Sequence, residues 1–153
     1  MKIKSIQGFE IIDSRGNPTV GAQVNLDDSI SGIAFVPSGA STGQHEANEK
    51  RDADENRYLG KGVLGAVESI EKEISPILEG KNVEDLLSND QLIIDSDGSQ
   101  NKSNFGANAI LAVSMASAKA ASLSRNMPLY KFINEKYSEF FGKNITPSLP
   151  TPM

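Results

Sequence analysis

The sequence predicts an α+β domain, a three-stranded antiparallel meander followed by about four helices packed on one face of the sheet. Three observations carry this expectation. Apolar and polar residues alternate through much of the first 36 positions. The runs are joined by turns far shorter than the dozen residues a parallel crossover needs. From residue 62 onward the apolar period changes from that of a strand to that of a helix.

Taken in order, the first run spans residues 3–12, where Ile6, Phe9, Ile11 and Ile12 partly alternate before the turn residues DSRGN at 13–17. Val20, Ala22, Val24 and Leu26 alternate cleanly up to DDS at 27–29. A third run, 30–36, stops at Pro37, which cannot donate to a ladder. Residues 46–61 are densely charged and read as a solvated turn or short helix. Residues 62–78 place Val63, Leu64, Val67, Ile70, Ile74 and Ile77 at helical spacing, closed by Gly80. Asn82 is the candidate cap of a shorter helix that runs through Leu86 and Leu87 to Ile94 and ends at DSDGS, 95–99. Residues 103–123 are rich in alanine, serine and aliphatics, with Lys119 and Arg125 toward the end where cations suit the helix dipole. Small side chains let neighbours approach closely, so this helix is expected to be the most buried. Pro128 starts a last short helix, PLYKFINEKY. The tail ITPSLPTPM is proline-rich, which divides the chain into a domain over 1–140 and a linker over 141–153.

Composition narrows the function classes. With 38% hydrophobic and 23% charged residues, the chain matches an ordinary soluble globular domain. No cysteine is present, which removes disulfides and thiolate metal sites. A net charge of −5 argues against nucleic acid as a partner. No secretory h-region opens the chain, and the longest uncharged apolar run, 105–118, is stopped by Lys119, short of a bilayer span. The expected location is cytoplasmic.

The segment VPSGASTGQHE, 36–46, puts two glycines, two serines and a threonine directly after a strand. It lacks the lysine-serine ending of a P-loop and the GxGxxG spacing of a dinucleotide site. Its composition suits either a surface connector or a ligand-handling loop whose serine oxygens are hard donors for Mg²⁺. His45 is the only histidine, so neither zinc binding nor a Ser-His-Asp arrangement can be argued from it. Asp13, Ser14 and Arg15 fit a local turn or a guanidinium fork held at an interface. Asp95 and Asp97 fail the spacing of a calcium loop and read as a turn.

Four stretches together resemble enolase, the glycolytic phosphopyruvate hydratase: DSRGNPTV at 13–20, VPSGASTGQHEA at 36–47, RYLGKGV at 57–63 and NKSNFGANAILAVSMASAKAA at 101–121. They stand in that family's order and spacing, and they cover its N-terminal capping domain only. The resemblance implies an enzyme that converts 2-phospho-D-glycerate to phosphoenolpyruvate and water with Mg²⁺, working as a homodimer. It implies that the base and the metal carboxylates lie in a C-terminal barrel absent from this chain, so no catalytic residue is expected here. It further implies that Gly39, Ala40, Ser41 and Thr42 form the substrate loop, with Ser41 as a metal ligand, and that Arg15 faces the dimer interface. Gly21 departs from the family pattern where a glutamate would pair across that interface. Ile33, Gln100 and Thr151 are further departures. A free-standing interaction module that kept the fold without the chemistry is the competing expectation.

Overall fold

The computed structural model describes residues 1–27, 29–38, 43 and 46–149. Strands β1 (Ile3–Ile12), β2 (Pro18–Leu26) and β3 (Ser31–Phe35) form one antiparallel sheet in the order β1-β2-β3, as the alternation predicts. The first turn is built by one carboxylate oxygen: Asp13 Oδ1 accepts the backbone N–H of Arg15 and of Asn17, both at 2.8 Å. Gly16 takes the positive φ of +79° that closes it.

Register decides which side chains meet. Rows such as Gly8–Ala22–Ala34 and Ile6–Val24–Gly32 face the helices, and Val20, Ala22, Val24, Leu26 and Ala34 are buried there. The row Phe9–Gly21–Phe35 faces away, where the two rings meet edge to face at 6.0 Å.

Among the described residues, four helices follow on one face of the sheet. Helix α1 begins as Leu64–Glu68, widens into a π-helical stretch over Ser69–Ile74, and closes with the turn Ser75–Leu78. Pro76 accounts for the widening, since it has no N–H for the carbonyl four residues back and its ring crowds that carbonyl. Ile70, Ile74 and Leu78 remain on the buried side. Helices α2 (Leu86–Asp97), α3 (Ala107–Ser124) and α4 (Leu129–Phe141) complete the set. As expected from its small residues, α3 buries the most, including Ala109, Ala112, Val113, Ala116, Ala120 and Ala121. It lies so close to β3 that a Cβ on Gly32 would stand 2.3 Å from the Ala120 nitrogen.

Three local expectations need correction. Asn82 does not cap α2: Asp85 holds the N-cap position, while the Asn82 carbonyl accepts from Asn89 Nδ2 at 2.9 Å. The helix also runs on to Asp97, where Gly98 ends it in the left-handed conformation. Burial pushes the Asp97 carboxyl up, yet the Phe105 N–H at 2.7 Å and the Ser99 groups outweigh it and hold it below its ordinary value. Residues 46–61 keep the expected exposed turn only over 55–57 and the short helix only as the turn that follows it. The rest runs as an irregular strap whose Lys50, Arg51, Asp52 and Arg57 bond to the sheet and the helices rather than to solvent alone. Among the described residues, no helix is long and apolar enough to cross a membrane.

Candidate functional site

The strap and the end of β3 together frame the segment that the sequence singles out. Val36 leaves the sheet pinned to β2 through its N–H, which donates to the Val20 carbonyl at 2.9 Å, and its own carbonyl accepts the Thr19 hydroxyl at 2.6 Å. On the far side, Gly43 and Glu46 form a reciprocal turn. The Gly43 N–H donates to Glu46 Oε2 at 2.8 Å, and the Glu46 N–H returns to the Gly43 carbonyl at 3.1 Å.

The strap then docks on the start of α3. Asn48 donates its N–H to the Asn101 carbonyl and accepts the Ala107 N–H on its own. Lys50 sends its ammonium to Ser69 Oγ at 3.0 Å and to the Asn104 carbonyl at 2.8 Å. Asp52 accepts the N–H of Leu64 and of Gly65 at 2.9 and 2.8 Å, so it caps α1 from twelve positions upstream. Arg57 forms a two-pronged pair with Glu10, whose Oε2 also accepts the Val63 N–H at 2.9 Å. The hydrogen bond from Arg57 and the Val63 N–H hold the Glu10 carboxyl below its ordinary value against the opposing effect of burial.

Two concavities flank this frame. One of about 560 Å³ is lined by Val36, Pro37, Gly43, Glu46, Asn108 and Leu111 among others. The other, of about 550 Å³, gathers Asp13, Arg15, Ser38, Arg51 and Lys61. Arg15 thus sits on the rim of the second, placed by the Asp13 turn, and among the described residues its guanidinium makes no ion pair. Gly39, Ala40, Ser41 and Thr42, together with His45, lie outside the described residues. Asp95 accepts from Gln91 Nε2 at 2.7 Å, and Asp97 orders the α2–α3 connection.

Among the described residues, no three acidic or histidine side chains gather as metal ligands. The two carboxylates that next follow residues 39–42 in sequence are already engaged, Glu46 with the Gly43 N–H and Glu49 with Arg51. The described part of the chain therefore does not fit a closed Mg²⁺ shell, which takes six oxygen donors.

The model of the family described as enolase, N-terminal domain, matches residues 3–133, well over half of the chain. The chain belongs to this family. In this enolase N-terminal domain all four of the stretches noted in the sequence converge on one frame. DSRGNPTV supplies the β1–β2 turn and Pro18, VPSG supplies Val36 and Ser38, RYLGKGV supplies Arg57 and Lys61, and NKSNFGAN supplies Asn101, Asn104 and Asn108. The sequence reading missed Glu10, Arg51, Asp52 and Asn108, because a run such as EKRDADE is indistinguishable locally from a solvated face. The signal available was the asparagine at 108, an amide placed inside an alanine-rich helix that has no other polar need there.

Proposed function

We propose that this chain is the capping domain of a phosphopyruvate hydratase, the lyase that converts 2-phospho-D-glycerate to phosphoenolpyruvate and water. In this reading residues 1–140 cover a following barrel, residues 141–153 lead to it, and the barrel holds the base and the metal carboxylates. Ser41 contributes an oxygen to Mg²⁺, with Gly39, Ala40 and Thr42 carrying it over the substrate. The ion, when bound, stabilises the negative charge that develops as a weakly acidic carbon loses its proton. Arg15 lies on the face that meets a second subunit, and the enzyme works as a cytoplasmic homodimer in glycolysis.

The observation that supports this reading best is the family match over residues 3–133, which contains the entire frame around segment 39–42. The engaged state of Glu46 and Glu49 agrees with it, since a chain whose own carboxylates are committed must find the remaining metal oxygens in another domain. The isolated chain is accordingly inactive.

The deciding experiment is Ser41→Ala in the intact enzyme. The expected result is a fall in turnover of roughly 100-fold, the scale of losing one preorganised electrostatic contact. Normal turnover of 2-phosphoglycerate by that variant, or measurable turnover by the isolated 153-residue chain, would overturn the reading.

A further inference from the structure

The outer face of the sheet has no cover among the described residues, since the helices pack on the other side. It also carries no charge. The row Ser5–Asn25–Ser31, the row Phe9–Gly21–Phe35 and the row between them contain no acidic or basic side chain, in a chain of which 23% is charged. A solvated sheet face is polar and charged, whereas the centre of a protein interface is depleted of charge and enriched in aromatic residues. The polar groups of the face satisfy one another: Gln23 Nε2 donates to Asn25 Oδ1 at 2.7 Å, and Asn25 Nδ2 donates to Ser5 Oγ at 3.2 Å. Gly21 is buried although it lies on this side, because the Phe9 and Phe35 rings fold over it, and a Cβ there would stand 2.4 Å from one and 2.9 Å from the other. Ile33 and Phe35 remain 41% and 52% exposed. Rings held in this way lose little freedom on contact, and amides already paired cost little to cover.

The three rows span on the order of 250 Å², from the spacing and rise of strands. A stable interface takes about 800 Å² from each partner. The surface runs on at the end of the sheet, where Ser38, three residues past Phe35, lines the same concavity as Arg15 and Leu59. Leu59 is 79% exposed, and Tyr58, Leu59 and Gly60 in succession hold left-handed φ of +51°, +54° and +79°. That backbone is costly for the first two and persists only where the surroundings impose it. Here the Lys61 N–H donates to the Tyr58 carbonyl and the Ala53 N–H to the Gly60 carbonyl, each at 3.1 Å, so an apolar side chain is held out in water.

We infer that this uncharged face, continued by Leu59, is the surface on which a second copy of the chain docks. The inference rests on the proposed function in one respect, that Arg15 faces a second subunit: Arg15 stands on the turn that ends this sheet and lines the concavity that Leu59 also lines. The strap docks on the helices, through Lys50 to Ser69 and Asn108 to Lys50, so a domain that meets the strap leaves the opposite face of the sheet open. Nucleic acid and an anionic membrane are poor occupants, since the three rows offer no cation.

The test measures the dissociation constant of the intact enzyme by sedimentation velocity for Ile33→Lys, Ile33→Glu and Leu59→Ser. Leu87→Lys, at a 59% exposed position on α2, is the control, and Tm is recorded for each variant. Either charge at position 33 is expected to raise Kd by at least roughly 100-fold, because it is buried without a partner. Leu59→Ser is expected to raise Kd roughly tenfold through lost apolar burial, and Leu87→Lys to leave it unchanged. A monomeric intact enzyme, or a dimer whose Kd the three variants leave unchanged, overturns the inference. A fall in Tm at unchanged Kd overturns it too, since the chain's own following domain would then cover the face. Opposite effects of Ile33→Lys and Ile33→Glu would mean a charged partner surface and would also overturn it. Turnover of 2-phosphoglycerate separates this inference from the proposed function. A dimer that responds as expected but turns over no substrate removes the function and keeps the docking surface, whereas turnover by a monomer does the reverse.

Discussion

Asn108 reads both backbone groups of Lys50: its Oδ1 accepts the Lys50 N–H at 3.0 Å, and its Nδ2 donates to the Lys50 carbonyl at 3.1 Å. A side-chain amide thereby stands in for a neighbouring strand and binds the strap to the first turn of α3. Asn108 is buried at 4% exposure and Lys50 is half-buried, so the two backbone groups regain water only in part if the amide is removed. Asn108→Ala is expected to destabilise by about 1–3 kcal/mol, the cost of leaving buried polar groups unmet. Asn108→Asp keeps the acceptor, loses the donor and faces the Lys50 carbonyl with a charge, so it should be no milder. A urea midpoint that falls at constant m-value would confirm this, and an unchanged midpoint would show that the strap is held elsewhere.

Gly21 has a different neighbour problem. A Cβ there would stand 2.4 and 2.8 Å from the Phe9 ring and 2.9 Å from Phe35, so the edge-to-face pair occupies the space a side chain would need. The obstacle is side chain, not backbone, and it can be removed. Gly21→Ala should cost about 1–3 kcal/mol by overpacking. Combined with Phe35→Ala, it should cost less than the sum of the two single changes. Strict additivity in that double-mutant cycle would refute the proposed contact.

Two carboxyls give the stability curve opposite slopes. Glu10 is held below its ordinary value of 4.5, first by the hydrogen bond from Arg57 and then by the Val63 N–H, against burial. Its contribution is full above that ordinary value and is lost as pH falls through the lowered one, because the unfolded chain then takes the proton first. Asp90 is pushed above its ordinary value of 3.8 by burial, which the Ser114 hydroxyl at 2.9 Å only partly offsets. Its folded form favours the proton, so its contribution is greatest below that ordinary value and is lost as pH rises through the raised one. Glu10→Gln should flatten the acid limb of stability, while Asp90→Asn should raise stability near neutral pH and leave the acid limb steep. Thermal melts across pH 3–7 separate them, and parallel curves for the two variants would defeat the assignment.

What the sequence disclosed and what it hid follow from the range of the interactions. The Asp13–Asn17 turn, the alternation of Val20, Ala22, Val24 and Leu26, and the alanine-rich α3 each depend on neighbours within a few positions. Their patterns survive in the bare string. Arg57 finds Glu10 47 positions away, and Asp52 caps a helix that starts twelve residues later. Nothing local distinguishes such charges from solvated ones, which is why the strap read as a surface turn. The π-helical widening of α1 was open to inference from Pro76 alone, yet its period still resembles that of an α-helix. At the candidate site, the Asp13 turn that carries Arg15 was legible because it is local. Arg51 and Asn108 were not, since Arg51 draws on Pro18, Ser38, Glu49 and Lys61, and Asn108 finds Lys50 58 positions away.

Gly32 shows how a single atom can set the distance between layers. It lies on β3 opposite Val24, under α3, and a Cβ would meet the Ala120 nitrogen at 2.3 Å and the Ala116 carbonyl oxygen at 2.4 Å. Both obstacles are backbone atoms of one helix, so no rotamer change relieves them and α3 must lift from the sheet as a unit. Lifting it would open the contacts of Ala116 and Ala120, both fully buried, and draw away the α3 N-terminus that holds the strap through Asn108. Gly32→Ala is therefore expected to cost about 3 kcal/mol, at the upper end for an added methylene. Unlike Gly21→Ala, it should not be rescued by trimming a side chain, so Gly32→Ala with Ala116→Gly should remain as unstable as Gly32→Ala or become less stable. Recovery of the urea midpoint in that double variant would mean the helix is free to slide, and the close seating of α3 on β3 would then not be what sets the strap's position.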